Sequence, residues 1–107
     1  MIEVHVNFGT AAEAARVARA AVEKRLAACA NLHPPIRSFY WWNGAVRDES
    51  EAPVVFKTSE ARLDALTAFI AAAHSYDTPG IIVHRPAGAD PRYLDWIERE
   101  TAGAESL

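Results

Sequence analysis

The chain has 107 residues, 50% of them hydrophobic and 23% charged, with 14 acidic against 11 basic side chains and a net charge of -3. These figures bound it to one domain of ordinary globular make-up and exclude a two-domain enzyme, a disordered chain and a basic nucleic-acid binder. Its one cysteine, Cys29, excludes an internal disulfide or a Cys-x-x-Cys metal knuckle.

Ile2, Val4, Val6 and Phe8 alternate with Glu3, His5 and Asn7, the period of a half-buried strand. Gly9 ends it. Thr10 and Glu13 form a capping box, and the alanine-rich stretch behind them predicts a helix to about residue 28 with Val17, Ala18, Val22 and Leu26 on one stripe. Residues 31–35 end in two prolines and read as a breaker. Ile36–Trp42 is a strand, and Asn43-Gly44 is the turn of a hairpin. The returning arm is polar from Arg47 to Glu51 and apolar at Val54, Val55 and Phe56, so its first half is expected to project from the body, with Pro53 marking a bulge or an edge. Ser59 caps a second helix carrying Leu63, Leu66, Ile70 and Ala73 on one face and stopping near His74. Ile81–His84 is a short strand, and Asp90-Pro91 opens a last helix with Leu94 and Ile97 inward.

The order β-α-β-β-α-β-α defines an α+β protein: a ferredoxin-like sandwich, with an antiparallel sheet, helices on one face and an extra C-terminal helix. Residues 1–101 are one domain and 102–107 a disordered tail. Two helices cover one sheet face only, while Tyr40 and Trp42 point to one side of the hairpin and Phe39 and Trp41 to the other. A domain this small hides only roughly 60–65% of its unfolded surface, so a second copy is the expected cover. No apolar run reaches the ~18 residues of a membrane span and no leader pattern opens the chain, so a soluble cytoplasmic protein is expected, in keeping with a lone thiol in a reducing compartment.

Five segments in order, Leu26-Ala27-Ala28-Cys29-Ala30-Asn31, Ser38-Phe39-Tyr40-Trp41-Trp42-Asn43-Gly44, Phe56-Lys57-Thr58, His74-Ser75-Tyr76-Asp77-Thr78-Pro79 and Tyr93-Leu94-Asp95-Trp96-Ile97, resemble the divalent-cation tolerance protein CutA family across residues 2–101. The resemblance implies a ferredoxin-like homotrimer, built like PII signalling proteins, whose long hairpins reach into neighbouring subunits. It also implies a role in tolerance of copper and other divalent metals, copper binding, and, for animal members, anchoring of a membrane enzyme. The chain departs from the family pattern at Ser75, where proline is usual, and at Gly80, where an acid is common.

Cys29 matches the family cysteine and is a candidate soft ligand for copper or zinc, or else a small hydrophobe among alanines. His5 and His84 fall on neighbouring strands of this topology, both facing away from the helices, within cross-strand reach. They make a candidate two-histidine metal or proton-sensitive site, or two separately hydrogen-bonded interface groups. Lys57, at the end of a core strand, with His74, Tyr76, Tyr40 and Trp42, would line an intersubunit cleft for a small anionic or aromatic ligand, or a packing cluster between subunits. There is no phosphate loop, nucleophile elbow or close Cys-His pair, so no catalysis is expected. The expected function is that of a trimeric metal-tolerance protein that binds copper or another divalent ion, the alternatives being a PII-like sensor with a ligand at the subunit clefts and a ligand-free assembly scaffold.

Overall fold

Strand β1 (Ile2–Phe8) runs down the middle of one antiparallel sheet, its even-numbered side chains fully buried and its odd-numbered ones half-buried. In the computed structural model, which describes residues 1–103, it is followed by α1 (Ala11–Glu23), β2 (Cys29–Leu32), β3 (Ile36–Trp42), β4 (Ala45–Thr58), α2 (Leu63–Ala73), β5 (Ile81–His84) and α3 (Pro91–Ala102). The sheet order is β2-β4-β1-β5, with β3 paired along the outer half of β4. Taken together, β2 and β3 are the second strand of the ferredoxin-like arrangement, interrupted at residues 33–35, so the expected architecture holds.

The core lies between β1, the inner half of β4, α1 and α2. Val4, Val6, Phe8, Val54 and Phe56 meet Ala14, Val17, Ala18, Ala21, Leu66 and Ile70 there. The alanines of α1 let the helix sit close to the sheet. Thr10 caps α1, its Oγ1 accepting from the Glu13 amide at 3.1 Å, and Asp90 caps α3, accepting from the Arg92 amide at 2.8 Å. Ser59 precedes a 3-10 turn (Glu60–Arg62) ahead of α2 and makes no side-chain cap; its hydroxyl instead accepts from Thr101 at 3.0 Å.

Four local readings need correction. Helix α1 stops at Glu23 and not near residue 28, because Arg25 takes φ 59 and turns the chain. That left-handed conformation costs a non-glycine residue ~1–2 kcal/mol. The Arg25 guanidinium offsets it, donating to the Glu100 carbonyl at 3.1 Å and carboxylate at 3.0 Å. The Ala28 amide then donates to the Lys57 carbonyl at 2.9 Å, and Cys29 starts a strand. Pro53 is neither a bulge nor a sheet edge: it pairs in register with Asn7, while its carbonyl accepts from His33 on the opposite side at 3.0 Å. An antiparallel residue turns its N–H and C=O to the same neighbour. The missing N–H therefore faces the interruption between β2 and β3, where no ladder bond is due. Leu94 is less enclosed than expected, half-buried on α3. Ala102, assigned above to the tail, closes α3, and residues 104–107 lie outside the described part of the chain.

The hairpin follows its sequence. Asn43 (φ 50) and Gly44 (φ 76) both turn left-handed, as a two-residue turn matched to strand twist requires. From residue 45 to 50 β4 is exposed and from Glu51 it enters the body, so the outer half does project, and the molecule is 45 Å long for a width of 30 Å. Helix α3 covers part of the face opposite α1 and α2, with Ile97 buried. The remainder, with both sides of the hairpin, leaves Leu32, Phe39, Trp41, Val46 and Ile82 exposed.

Candidate functional site

The open sheet face carries the chemistry. Registers place Cys29 opposite Lys57, Lys57 opposite Glu3, and Glu3 opposite His84, a straight row across four strands. Strands lie about 4.8 Å apart, so Cys29 and His84 are separated by roughly 14 Å. The three candidate metal ligands thus divide into two places. His5 stands opposite Ile82, diagonal to His84 and not directly opposed to it, and the two imidazoles still meet with centroids 4.4 Å apart. His5 Nε2 is 3.1 Å from Glu3 Oε1. Its Nδ1 is left as a possible ligand once Nε2–H donates to the carboxylate. Among the described residues no group of three or more His, Cys, Asp and Glu side chains is arranged to hold a metal ion.

Cys29 Sγ lies 3.7 Å from Tyr93 Oη, and Lys57 Nζ sits 5.6 Å from the centre of the same ring. Burial pushes the Lys57 ammonium down, but the hydrogen bond and charge of Tyr93, with Cys29 and Glu3, outweigh it and leave Lys57 raised. Burial and the thiol raise the Tyr93 phenol, against the lowering effect of Lys57. Lys57 thereby answers the cost of a cation at the end of a core strand within its own chain.

At the root of the hairpin is a cleft of about 850 Å³ whose lining includes Tyr40, Trp42, Glu49, Glu51, Tyr76 and His5. Tyr40 and Glu49 share a ribbon face because Tyr40 is paired with Arg47 and Ser38 with Glu49. Tyr76 reaches the same place from the segment after α2. Its ring passes over Gly9, where an added Cβ would stand 3.3 Å from the ring, and its hydroxyl donates to Glu51 Oε2 at 3.1 Å. Burial, then the hydrogen bond and charge of Glu51, hold the Tyr76 phenol far above its ordinary range. Tyr40 is raised by burial and by Glu49 and Glu51.

Two residues assigned above to this cleft do not line it in one chain. His74 has a fully enclosed side chain. Its Nε2 donates to the Asn7 carbonyl at 2.8 Å, its Nδ1 accepts from the Tyr76 amide at 3.1 Å, and its ring stacks on Phe8 at 4.6 Å. With both nitrogens engaged by backbone it positions Tyr76 and offers no ligand atom. Lys57 lies six residues along β4 from Glu51, about 20 Å of strand. The residues missed by sequence reasoning are Glu49 and Glu51, which it placed only in the polar, projecting arm from Arg47 to Glu51. Their alternation with Arg37's partner Asp48 on the other ribbon face was the available signal.

Fold and site define a ferredoxin-like α+β protein with a histidine pair and an acidic, aromatic cleft on its open sheet face. Residues 2–100 match the CutA1 divalent ion tolerance protein family, and the chain belongs to that family. It is 38% identical over 100 residues to the chloroplastic protein CutA 1 of Oryza sativa subsp. japonica, covering 94% of this chain and 56% of that one. It is 34% identical over 95 residues to the divalent-cation tolerance protein CutA of Archaeoglobus fulgidus, covering 89% and 92%. The crystal structure of CutA1 from Pyrococcus horikoshii superposes with a TM-score of 0.89 at 35% identity, covering 94% of this chain and 98% of that one. The chain spans about half the length of the plant and mammalian relatives it matches. None of these names describes a catalysed reaction.

Proposed function

We propose that the chain acts as a cytoplasmic homotrimer in divalent-metal tolerance, and that copper is the ion it binds. The observation that carries the metal reading is the contact of His5 with His84 at 4.4 Å, backed by Glu3. Imidazole suits copper and zinc, and a carboxylate behind a histidine fixes its tautomer and raises its basicity. Two histidines are an incomplete set, so a neighbouring subunit would supply the remaining ligands. Cys29, a separate soft donor beside Tyr93, would act at its own position. The trimer rests on the exposed aromatic hairpin, and the compartment on a single unpaired thiol.

Copper titration of the purified protein tests this. Binding should fall when His5 and His84 are both changed to Ala and persist in Cys29→Ser. Equal affinity in the double-histidine variant would remove the site.

A further inference from the structure

Residues 75–80 join α2 to β5 with no helix or strand of their own, and among the described residues no backbone–backbone hydrogen bond holds them. Their polar ties are side-chain ties, and the segment is the donor in each. The Ser75 amide and hydroxyl donate to the two oxygens of Glu13 at 3.0 and 2.8 Å, the Tyr76 amide to His74 Nδ1 at 3.1 Å, and the Tyr76 hydroxyl to Glu51 Oε2 at 3.1 Å. Every acceptor is a titratable group used in its deprotonated form. A segment held only in this way opens at low free energy, and acid removes its acceptors.

An imidazole takes up its proton at a higher pH than a carboxylate, which makes His74 the sensor among the three acceptors. Its Nε2 donates to the Asn7 carbonyl at 2.8 Å, so Nδ1 is where a proton must go. A proton taken there from solvent turns the acceptor into a donor that faces the Tyr76 N–H. That tie is lost. Glu13 Oε1, 3.7 Å from Nδ1, is an acceptor within reach of the new N–H, and it already receives the Ser75 amide. One proton therefore cancels the Tyr76 tie and competes for a Ser75 tie.

The surroundings of the ring set the direction of this exchange. From α1 it meets Glu13, on whose carboxylate Arg16 also acts. From β1 it meets Phe8 and the Asn7 carbonyl, neither of them titratable, and from its own segment Tyr76, whose hydroxyl leads to Glu51 on β4. Among the described residues Glu13 is the anion paired with the ring, so an imidazolium is drawn toward α1 and away from Tyr76.

We propose that residues 75–80 are an acid-released latch, closed while neutral His74 accepts the Tyr76 amide and opened when a proton on Nδ1 draws the ring to Glu13. Tyr76 carries the latch across to Glu51, where β4 leaves the body for the hairpin, so opening frees the hairpin root. The ring is fully enclosed and all its partners lie in one chain, so the latch works whether or not another copy covers the sheet face. None of these groups is among the metal ligands proposed above.

Nuclear magnetic resonance of the nitrogen-15-labelled full chain, titrated downward from pH 7.5 until the chain unfolds, tests it. The imidazole nitrogen shifts report the charge of His74, and amide exchange, corrected for its intrinsic pH dependence, reports the latch. Protection of the Ser75 and Tyr76 amides should fall about tenfold or more in step with the charging of His74, while the β1–β4 ladder stays protected. His74→Gln keeps a donor and an acceptor but takes no charge, and it should abolish the step. Glu13→Gln removes the counter-charge and should move the step to lower pH; it serves if His74→Gln does not fold. Protection that survives the charging of His74, or a His74 that charges only with global unfolding, overturns the latch. So does a step retained in His74→Gln or unmoved in Glu13→Gln.

Discussion

His74 Nε2 donates to the Asn7 carbonyl at 2.8 Å, tying the end of α2 to the last turn-out of β1. The ring is enclosed, stacked on Phe8, and used at its other nitrogen by the Tyr76 amide. Replacing it by Ala therefore opens a cavity and orphans two buried backbone groups. A loss of about 2–4 kcal/mol is expected. Urea denaturation at fixed protein concentration measures it, and a loss under about 1 kcal/mol would mean the ring is not the tie described.

Glu13 receives two donors from the departing family position, the Ser75 amide at 3.0 Å and the Ser75 hydroxyl at 2.8 Å. Burial pushes the Glu13 carboxyl up, but these two bonds and the neighbouring His74 and Arg16 bring it below its ordinary 4.5. A carboxyl lowered in the folded state stabilises the protein above its unfolded pKa, and the contribution disappears as pH falls through the folded value. Ser75→Pro removes both donors. His74 already has ψ 141, as a residue before proline prefers. The variant should lose about 1 kcal/mol at pH 7, after the gain from a stiffer unfolded chain, and the gap to wild type should close toward pH 3. Paired urea titrations at the two pH values check it; a gap that does not close would detach it from Glu13.

What the sequence made legible follows from periodicity. The alternation in residues 2–8, the Thr10 cap and Asn43-Gly44 are local codes, and each element they mark is present. The end of α1 was illegible because alanines at 27 and 28 favour helix, while the groups that pull them into β2, the Lys57 carbonyl and the Thr58 hydroxyl, lie thirty residues away. The same holds for the cleft. Nothing local separates Glu51, drawn into the body, from its neighbour Glu49 outside it. His74 looked like a ligand because its backbone partners cannot be read from spacing. His5 and His84 came together because topology alone sets strands β1 and β5 side by side.

Tyr93 stands between Cys29 and Lys57, so Tyr93→Phe should change both. A lysine raised in the folded state stabilises below its unfolded pKa of about 10.5 and loses that contribution as pH rises through the folded value; a raised phenol also loses stability with rising pH. The variant should therefore show a weaker fall in stability above pH 10, and at neutral pH a cost under about 1 kcal/mol for these partly exposed groups. Its Cys29 should also react more slowly with a disulfide reagent, since the hydroxyl that can donate to the attacking thiolate is gone. An unchanged thiol rate together with an unchanged alkaline limb would show that the contact is idle.

The proposed assembly rests on the exposed hairpin. Phe39 is 65% exposed and Trp41 74% exposed, on the ribbon face opposite Tyr40 and Trp42, and neither supports the core of its own chain. Large aromatics left in water at this density mark a surface made to be covered. Changing both to Ser should leave the fold of each chain intact, since exposed positions cost within about 0.5 kcal/mol, while removing the anchors of the interface. Sedimentation should give about 35 kDa for the wild type, three times the 11.7 kDa chain, and a single-chain mass for the variant with unchanged far-ultraviolet dichroism. A wild type that sediments as one chain ends the trimer, and a variant that stays trimeric moves the interface from the hairpin to the sheet face around Leu32 and Ile82.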